Sequence, residues 1–447
     1  MQTSPTILII IGITGDLAQR KLLPAIGKMA QAGALPQEFH IIGITRRSDV
    51  TVESLLDKTE NSDYITEHTE LFQMDLASEA DYGKLGNYLE SLEGNFSEVP
   101  QRLFYLSVPP QVSRPIIEYL GASGLAKIPH TKLLLEKPFG TDLESAEELI
   151  DHINKYFTSE QIYRIDHYLA RDTAQNLIIF REYNPLFKRT WNKDFIERIE
   201  ITASEAIGIE GRAVFYEQTG ALRDFMQSHL LQLAALALMD TPRENNMQEV
   251  PELRLKALRE LHLTRKASSI TDIARRGQYK GYRDEVGNPN SIVETFASIH
   301  LESVNKKWEG VPITLTTGKA LKERYTEIRI FYKKEADEES EELTLRLQPD
   351  EGVELCIWAK RPGYEHELTQ HKVKFVFGDR ELGLPEPYGQ VLFSAIKSDH
   401  TLFTSGEEVL QSWKILTPIQ HAWEMSGNDL IFYTPGNTPV EVLAQNM

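Results

Sequence analysis

Six short apolar runs recur in the first third of the chain, at residues 7–11, 40–45, 71–76, 101–108, 131–136 and 161–165. Strands buried on both faces read as continuous runs of this kind. Between them the apolar residues take helical spacing: Leu17, Leu22, Ile26 and Met29, then Ala80, Leu85, Tyr88 and Leu92, then Leu143, Ala146, Leu149 and Ile153. Strand alternating with helix requires parallel pairing through crossovers, which predicts a doubly wound α/β domain of Rossmann type over residues 1–165.

Past residue 165 the period changes to two. Ile199, Ile201 and Ala203 alternate with polar residues, as do Ile313 and Leu315, Ile328 and Ile330, and Leu343, Leu345 and Leu347. A long apolar helix is expected at 220–239, and the charge run 334–342 reads as a solvated hairpin loop. Residues 166–447 are therefore expected to form an α+β domain on a large, mainly antiparallel sheet that serves substrate binding and oligomerisation. Too little helix follows to cover that sheet, so an apolar face should pair with a second copy in a homodimer or homotetramer.

Charge changes the picture of partners. Against 48 Lys and Arg stand 66 Asp and Glu, a formal balance of −18. Such a field repels polyphosphate and anionic lipid, so neither nucleic acid nor membrane is an expected partner. A small anion must instead be held by basic residues clustered against it. One cysteine, Cys356, permits neither an internal disulfide nor a thiolate metal cluster, and no metal site is read from the chain. With no apolar run long enough to span a bilayer, the expected location is the cytoplasm.

Candidate chemistry clusters at predicted strand ends. Gly12-Ile-Thr14-Gly15-Asp16-Leu17-Ala18 follows the first strand and opens a helix. Glycine there allows a tight turn and close approach of a pyrophosphate to backbone N–H groups. After the second strand, where an acidic residue would select NAD, stand Arg46 and Arg47. Two guanidiniums suit a 2′-phosphate, so NADP is the expected cofactor, with NAD as the weaker alternative. The fifth strand ends in Glu136-Lys137-Pro138-Phe139-Gly140, with Lys137 placed to meet an anion. In Arg164-Ile-Asp166-His167-Tyr168-Leu-Ala-Arg171, a helix starting near Asp166 would gather His167, Tyr168 and Arg171 within about one turn, as a phosphate site. On the later helix, Asp224 and His229 are five residues apart, about 140° round an α-helix, so they are not expected to pair. A neutral imidazole such as His229 suits proton removal from an alcohol. Glu205 and Lys319 end strands nearby and add polar contacts.

Taken together, these segments resemble the glucose-6-phosphate dehydrogenase family over most of the chain. The resemblance rests on the Gly12–Ala18 turn, Glu136–Gly140, Arg164–Leu169, Glu210-Gly-Arg212, Gly220–Asp224 with Gln227–Gln232, Arg276-Gly-Gln-Tyr279 and Gly318–Arg324. It implies oxidation of glucose 6-phosphate to 6-phosphogluconolactone with hydride passing to NADP, a step of the oxidative pentose phosphate pathway. By matching positions it implies His229 as proton acceptor and Asp166 as the carboxylate orienting it. It also implies His167, Tyr168 and Arg171 on the phosphate; Glu205, Asp224, Lys319 and Arg324 on the sugar; and Lys137 on both sugar and coenzyme. Gly12, Thr14, Gly15, Asp16, Leu17, Arg46, Asp75 and Leu76 would line the coenzyme site.

The chain departs from the family pattern at three places. Ala170-Arg171 stands for Gly-Lys, Ser228 for the Asn before the histidine, and Ala213-Val214, after Gly211-Arg212, for a glycine-rich stretch. Arg171 keeps the charge and adds a bidentate fork. Two other readings remain open at this point: a dehydrogenase of another sugar or sugar phosphate, and a catalytically silent NADP-binding sensor.

Overall fold

Six parallel strands open the chain: β1 Thr6–Ile11, β2 Phe39–Thr45, β3 Thr69–Gln73, β4 Gln101–Leu106, β5 Thr131–Leu135 and β6 Ile162–Ile165. In the computed structural model, which describes all residues except 1–3, 57–58, 60, 244–245, 265–268, 334–340, 378–385, 426 and 446–447, they lie in the order β3-β2-β1-β4-β5-β6. The order reverses between β1 and β4, the arrangement of a doubly wound dinucleotide fold. All of β1 and β4 is buried, as continuous apolar runs predict.

The chain divides into two units. The first is Met1–Ala170 with Pro385–Gly406, and the second Arg171–Leu384 with Glu407–Met447. The expected division at 165/166 thus lies five residues from the observed one, and the segment 385–406 had no place in it. That segment supplies the helix Pro387–Ile396 and the strand Phe403–Thr404, which pairs antiparallel with β6. Its Val391, Leu392, Ala395, Ile396, Leu402 and Phe403 join the core built on Leu8, Ile10, Leu103 and Leu134. Two buried polar side chains at the start of β4 and β5 receive the helix C-terminus: Gln101 Nε2 donates to Ile396 O at 2.9 Å and Lys132 Nζ to Ala395 O at 2.5 Å. A cation at a helix C-terminus is favourably placed.

Among the described residues, the second unit is built on a sheet of ten strands. These are β7 Ile196–Ser204, β8 Leu261–Leu263, β9 Ala274–Tyr279, β10 Phe296–Ser303, β11 Ile313–Gly318, β12 Tyr325–Tyr332, β13 Glu342–Gln348, β14 Gly352–Lys360, β15 Leu368–Val376 and a last strand, Leu430–Tyr433. Their order is β15-β14-β13-β12-β7-β11-β10-β9 followed by the last strand, with β8 on β10. Pairing is antiparallel except for β7 with β11 and β9 with the last strand. The sheet is mainly antiparallel, as expected, but mixed. The charge run at 334–342 lies outside the described residues except for its last two; β12 and β13 on either side of it pair antiparallel.

One face of this sheet meets helices, among them Asp172–Tyr183 on β13. The other face differs from the apolar surface expected. Its inner strands carry a half-buried ion-pair ladder, with Arg198 to Glu200 at 2.9 Å, Arg329 to Glu342 at 2.5 Å and Arg346 to Glu327 at 3.2 Å. On the outer strands apolar side chains reach solvent on both faces: Ile357, Val373 and Phe375 on the face of Leu343 and Leu345, and Leu368 and Val376 on the face of the ladder. Alternation reports which residues are buried, and charged residues on the opposite face satisfy it as well as apolar ones do.

Candidate active site

Strand register gathers the first unit's candidates along one sheet edge. Thr45 pairs with Gln73, Ile11 with Ile44 and Leu106, Leu106 with Leu135, and Leu135 with Arg164. The residues that follow these pairs, Arg46, Met74 and Asp75, Gly12, Ser107, Lys137 and Asp166, therefore leave the sheet at its C-terminal edge, where open α/β sheets bind ligand.

At the centre of this edge, Gly12 has φ +91°, and a Cβ on it would fall 2.6 Å from Ser107 O. The turn closes through Gly15 N to Gly12 O at 2.9 Å, and Gln19 Nε2 ties down Thr14 O at 2.9 Å. The helical segment begins at residue 16, so its first N–H groups open beside the glycine turn. Asp16 points its carboxylate at Arg20 in solvent, at 2.6 Å. Leu17 lies in the first turn, half-buried.

Beside β2 and β3 a cleft of about 430 Å³ is lined by Arg46, Gln73, Met74, Asp75 and Asp81. The two arginines separate here. Arg47 donates to both carboxylate oxygens of Asp49, at 3.1 and 2.9 Å, whereas Arg46 makes no ion pair among the described residues. Leu76, next to the cleft, takes the Tyr82 hydroxyl on its carbonyl at 3.0 Å.

Lys137 follows a half-buried Glu136, which accepts the Tyr105 hydroxyl at 2.5 Å. Burial pushes the Glu136 carboxyl up, and the nearby Asp166 charge pushes it in the same direction, while Tyr105 and Lys137 oppose the shift. Asp166, 3% exposed, accepts the Tyr168 N–H at 2.9 Å and through its carbonyl the Leu169 N–H at 3.1 Å. These bonds make a turn. The helix expected near Asp166 starts at Asp172, with Arg171 as its N-cap in extended conformation, so helical spacing does not relate His167, Tyr168 and Arg171. An aspartate that bonds the N–H two residues on stabilises a turn in preference to a helix.

Register also explains the second unit's candidates. Ser204 pairs with Gly318 in the parallel β7–β11 ladder, with Tyr325 on β12, and Thr326 pairs with Gln348 at the end of β13. Glu205, Lys319, Arg324 and Gln348 consequently share one edge. Glu205 and Lys319 form an ion pair, and the buried Lys319 Nζ lies 5.3 Å from the Tyr216 ring centroid and 5.8 Å from that of Phe225. Burial and the surrounding carboxylates of Asp224, Glu294 and Glu205 hold the Tyr216 hydroxyl well above its usual range. Gln348 Oε1 accepts from Arg171 Nη2 at 3.2 Å and Arg324 Nη2 at 3.4 Å. Glu351 accepts Arg171 Nη1 at 3.1 Å with one oxygen and the Thr173 N–H at 2.9 Å with the other. Gln348, Glu351 and Tyr216 carry no local signal in the sequence, since nothing marks the end of a sheet strand as a meeting point for a residue 177 or 180 positions away.

The apolar helix differs from expectation in three ways. It starts at Ala213 instead of 220, breaks at Gly220 (φ 62°, ψ −178°), and continues as a nine-residue π-helix, Leu222–Leu230, before Leu231–Leu238. In a π-helix the bonds run i to i+5, which brings residues five apart toward one face. The 140° separation of Asp224 and His229 assumed a regular α-helix and does not apply. His229 is 1% exposed. Beyond it, side chains cap the helix end: Arg181 donates to Leu236 O and Met239 O at 2.8 and 2.6 Å, Trp191 to Ala237 O at 2.8 Å and Trp308 to Leu238 O at 2.7 Å.

Comparison with known proteins covers both units. Residues 9–176 match the family description "Glucose-6-phosphate dehydrogenase, NAD binding domain" and residues 178–445 the corresponding C-terminal domain. A glucose-6-phosphate 1-dehydrogenase of Chlamydia muridarum is 35% identical, covering 94% of this chain and 90% of its own. One of Bacillus subtilis is 34% identical over 94% and 92%. A solved glucose-6-phosphate dehydrogenase in complex with glucose 6-phosphate superposes with a TM-score of 0.91 at 30% identity, over 99% of this chain and 98% of that one. With its family's pattern matched in both parts, in order and nearly end to end, this chain belongs to the glucose-6-phosphate dehydrogenase family.

Proposed function

We propose that this protein oxidises the C1 hydroxyl of glucose 6-phosphate to 6-phosphogluconolactone in the oxidative pentose phosphate pathway, with NADP as hydride acceptor. The observation that carries the reading is the pair of sheet edges. One presents the glycine turn, Arg46, Lys137 and Asp166; the other presents Glu205, Lys319, Arg324 and Gln348, with Arg171 bonded to Gln348.

Bound NADP supplies the acceptor for the C1 hydride. The chain's own residues fit it: the turn at Gly12 has no room for a Cβ, the helix start offers N–H groups to a pyrophosphate, and Arg46 stands in a cleft for the 2′-phosphate. Thr14, Gly15, Asp16, Leu17, Asp75 and Leu76 complete this part, Asp16 through its backbone. His229 takes the hydroxyl proton as hydride leaves C1, and Asp166 orients the imidazole and stabilises its cation. His167, Tyr168 and Arg171 hold the phosphate, with Arg171 steered by Glu351 and Gln348. Glu205, Asp224, Lys319 and Arg324 hold the sugar hydroxyls, and Lys137 lies on sugar and coenzyme. The outer strands β14 and β15, with Phe375 and Val373 in solvent, are the surface for a homodimer or homotetramer, and the enzyme works in the cytoplasm.

NADPH formation at 340 nm, measured with glucose 6-phosphate and NADP and repeated with glucose and with NAD, tests the reading. Turnover should require the phosphate and prefer NADP. Equal rates on glucose would give the protein to another sugar dehydrogenase, and no turnover with any pair would make it a silent sensor.

A further inference from the structure

Glu294 stands just before β10 and is 5% exposed, although nothing in the mechanism above uses it. Its backbone carbonyl accepts the Ala221 N–H at 2.9 Å, and its carboxylate Oε1 accepts the Leu222 N–H at 2.9 Å. One residue thus takes two successive N–H groups where the helix has broken at Gly220 and restarts as the π-helical segment. Gly220 is packed onto the same carboxylate: a Cβ there would fall 2.5 Å from Oε1, and its φ and ψ belong to a region that only glycine occupies readily. The next residue, Thr295, accepts the Lys319 N–H on its carbonyl at 2.9 Å, and Tyr433 bonds both Thr295 and the Lys319 carbonyl. The dipeptide Glu294-Thr295 therefore joins the start of the helix bearing Asp224 and His229 to the strand end bearing Lys319.

We propose that Glu294 is a positioning residue for His229, setting the register at which the π-helical segment starts relative to the Lys319–Glu205 pair. The inference rests on the reading of His229 as base. A slip of one residue at Leu222 would turn the segment by roughly a quarter turn and carry the imidazole off its line. Glutamine keeps both the bulk and an acceptor oxygen for the Leu222 N–H.

The test uses the full-length protein with Glu294→Ala, Glu294→Gln and Glu294→Asp, and His229→Asn as reference. Steady-state constants for glucose 6-phosphate and NADP are measured well below each variant's Tm. Glu294→Ala should lower kcat about tenfold or more with both KM values within about threefold, Glu294→Gln should return kcat to within about threefold of wild type, and Glu294→Asp, with its acceptor drawn back, should fall between. A merely structural role would lower Tm and leave kcat per folded molecule at the wild-type value. That result, or a glutamine variant as slow as alanine, overturns the inference. If Glu294→Ala does not fold, Glu294→Asp decides on the same criteria. A slow His229→Asn beside a wild-type-like Glu294→Ala overturns this inference alone; a wild-type-like His229→Asn overturns the reading it rests on, and the inference with it.

Discussion

Coenzyme choice should depend on one arginine of the adjacent pair. Arg47 is held by both oxygens of Asp49, while Arg46 lines the cleft beside β2 and β3. A charge-assisted hydrogen bond contributes about 1.5–3 kcal/mol net. Arg46 is exposed, which favours the low end, but Asp75 and Asp81 line the same cleft, so removing the cation leaves a 2′-phosphate facing two carboxylates. A loss of about 2 kcal/mol follows for Arg46→Ala, or roughly 30-fold in kcat/KM for NADP. NAD has no phosphate there and should change by less than about threefold. Arg47→Ala should stay within about threefold for both coenzymes, since its guanidinium is already engaged. The preference of wild type for NADP should shrink as salt is raised from 0.05 to about 0.5 M, because the cleft is open to screening. The assay is initial-rate kinetics with each coenzyme at saturating glucose 6-phosphate. Equal losses for NADP and NAD in Arg46→Ala, or a larger effect from Arg47→Ala, would refute the reasoning.

Three further outcomes are expected. His229→Asn, similar in size and unable to take a proton, should lower kcat by roughly 10²–10⁴ with substrate KM nearly unchanged; a folded variant at wild-type turnover contradicts the base assignment. Arg254 and Glu408 form an ion pair at 2.9 Å with side chains 1% and 0% exposed. Arg254→Met alone should cost about 3–5 kcal/mol by leaving a buried charge, whereas Arg254→Met with Glu408→Leu should return most of it; urea denaturation that ranks the double variant below the single one opposes this. Burial brings the Lys132 ammonium down to about 8. Between that value and the unfolded chain's, near 10.4, the unfolded state binds the proton that the folded state has released, so stability rises with pH. Relative to Lys132→Met, wild type should gain up to about 3 kcal/mol between pH 8 and 10.5, and a flat difference in Tm over that range would count against it.

Much of the architecture was legible in the linear pattern because side-chain period is a local consequence of burial. Runs such as Ile7–Ile11 require cover on both faces, and the Gly12 turn requires a residue without a Cβ wherever the chain happens to fold. The candidate residues lay at predicted strand ends for the same reason. Register is not local. That Leu135 pairs with Arg164, or Ser204 with Gly318, depends on contacts between separate segments, and these pairings place Lys137 with Asp166 and Glu205 with Lys319. The return of 385–406 onto the first sheet is likewise invisible in its own composition; it shows in the buried Lys132 and Gln101, whose polarity makes sense once a helix end arrives to meet them. Local competition hid the rest. Asp166 bonds the Tyr168 N–H and delays the next helix to Asp172, Asp49 takes Arg47 away from its neighbour, and Glu294 meets Gly220 where the α-helix gives way to a π-helix. Hydrophobic period follows the apolar groups, which act by area and without direction. These choices were made by directional hydrogen bonds between residues whose spacing in the chain carries no trace of their meeting.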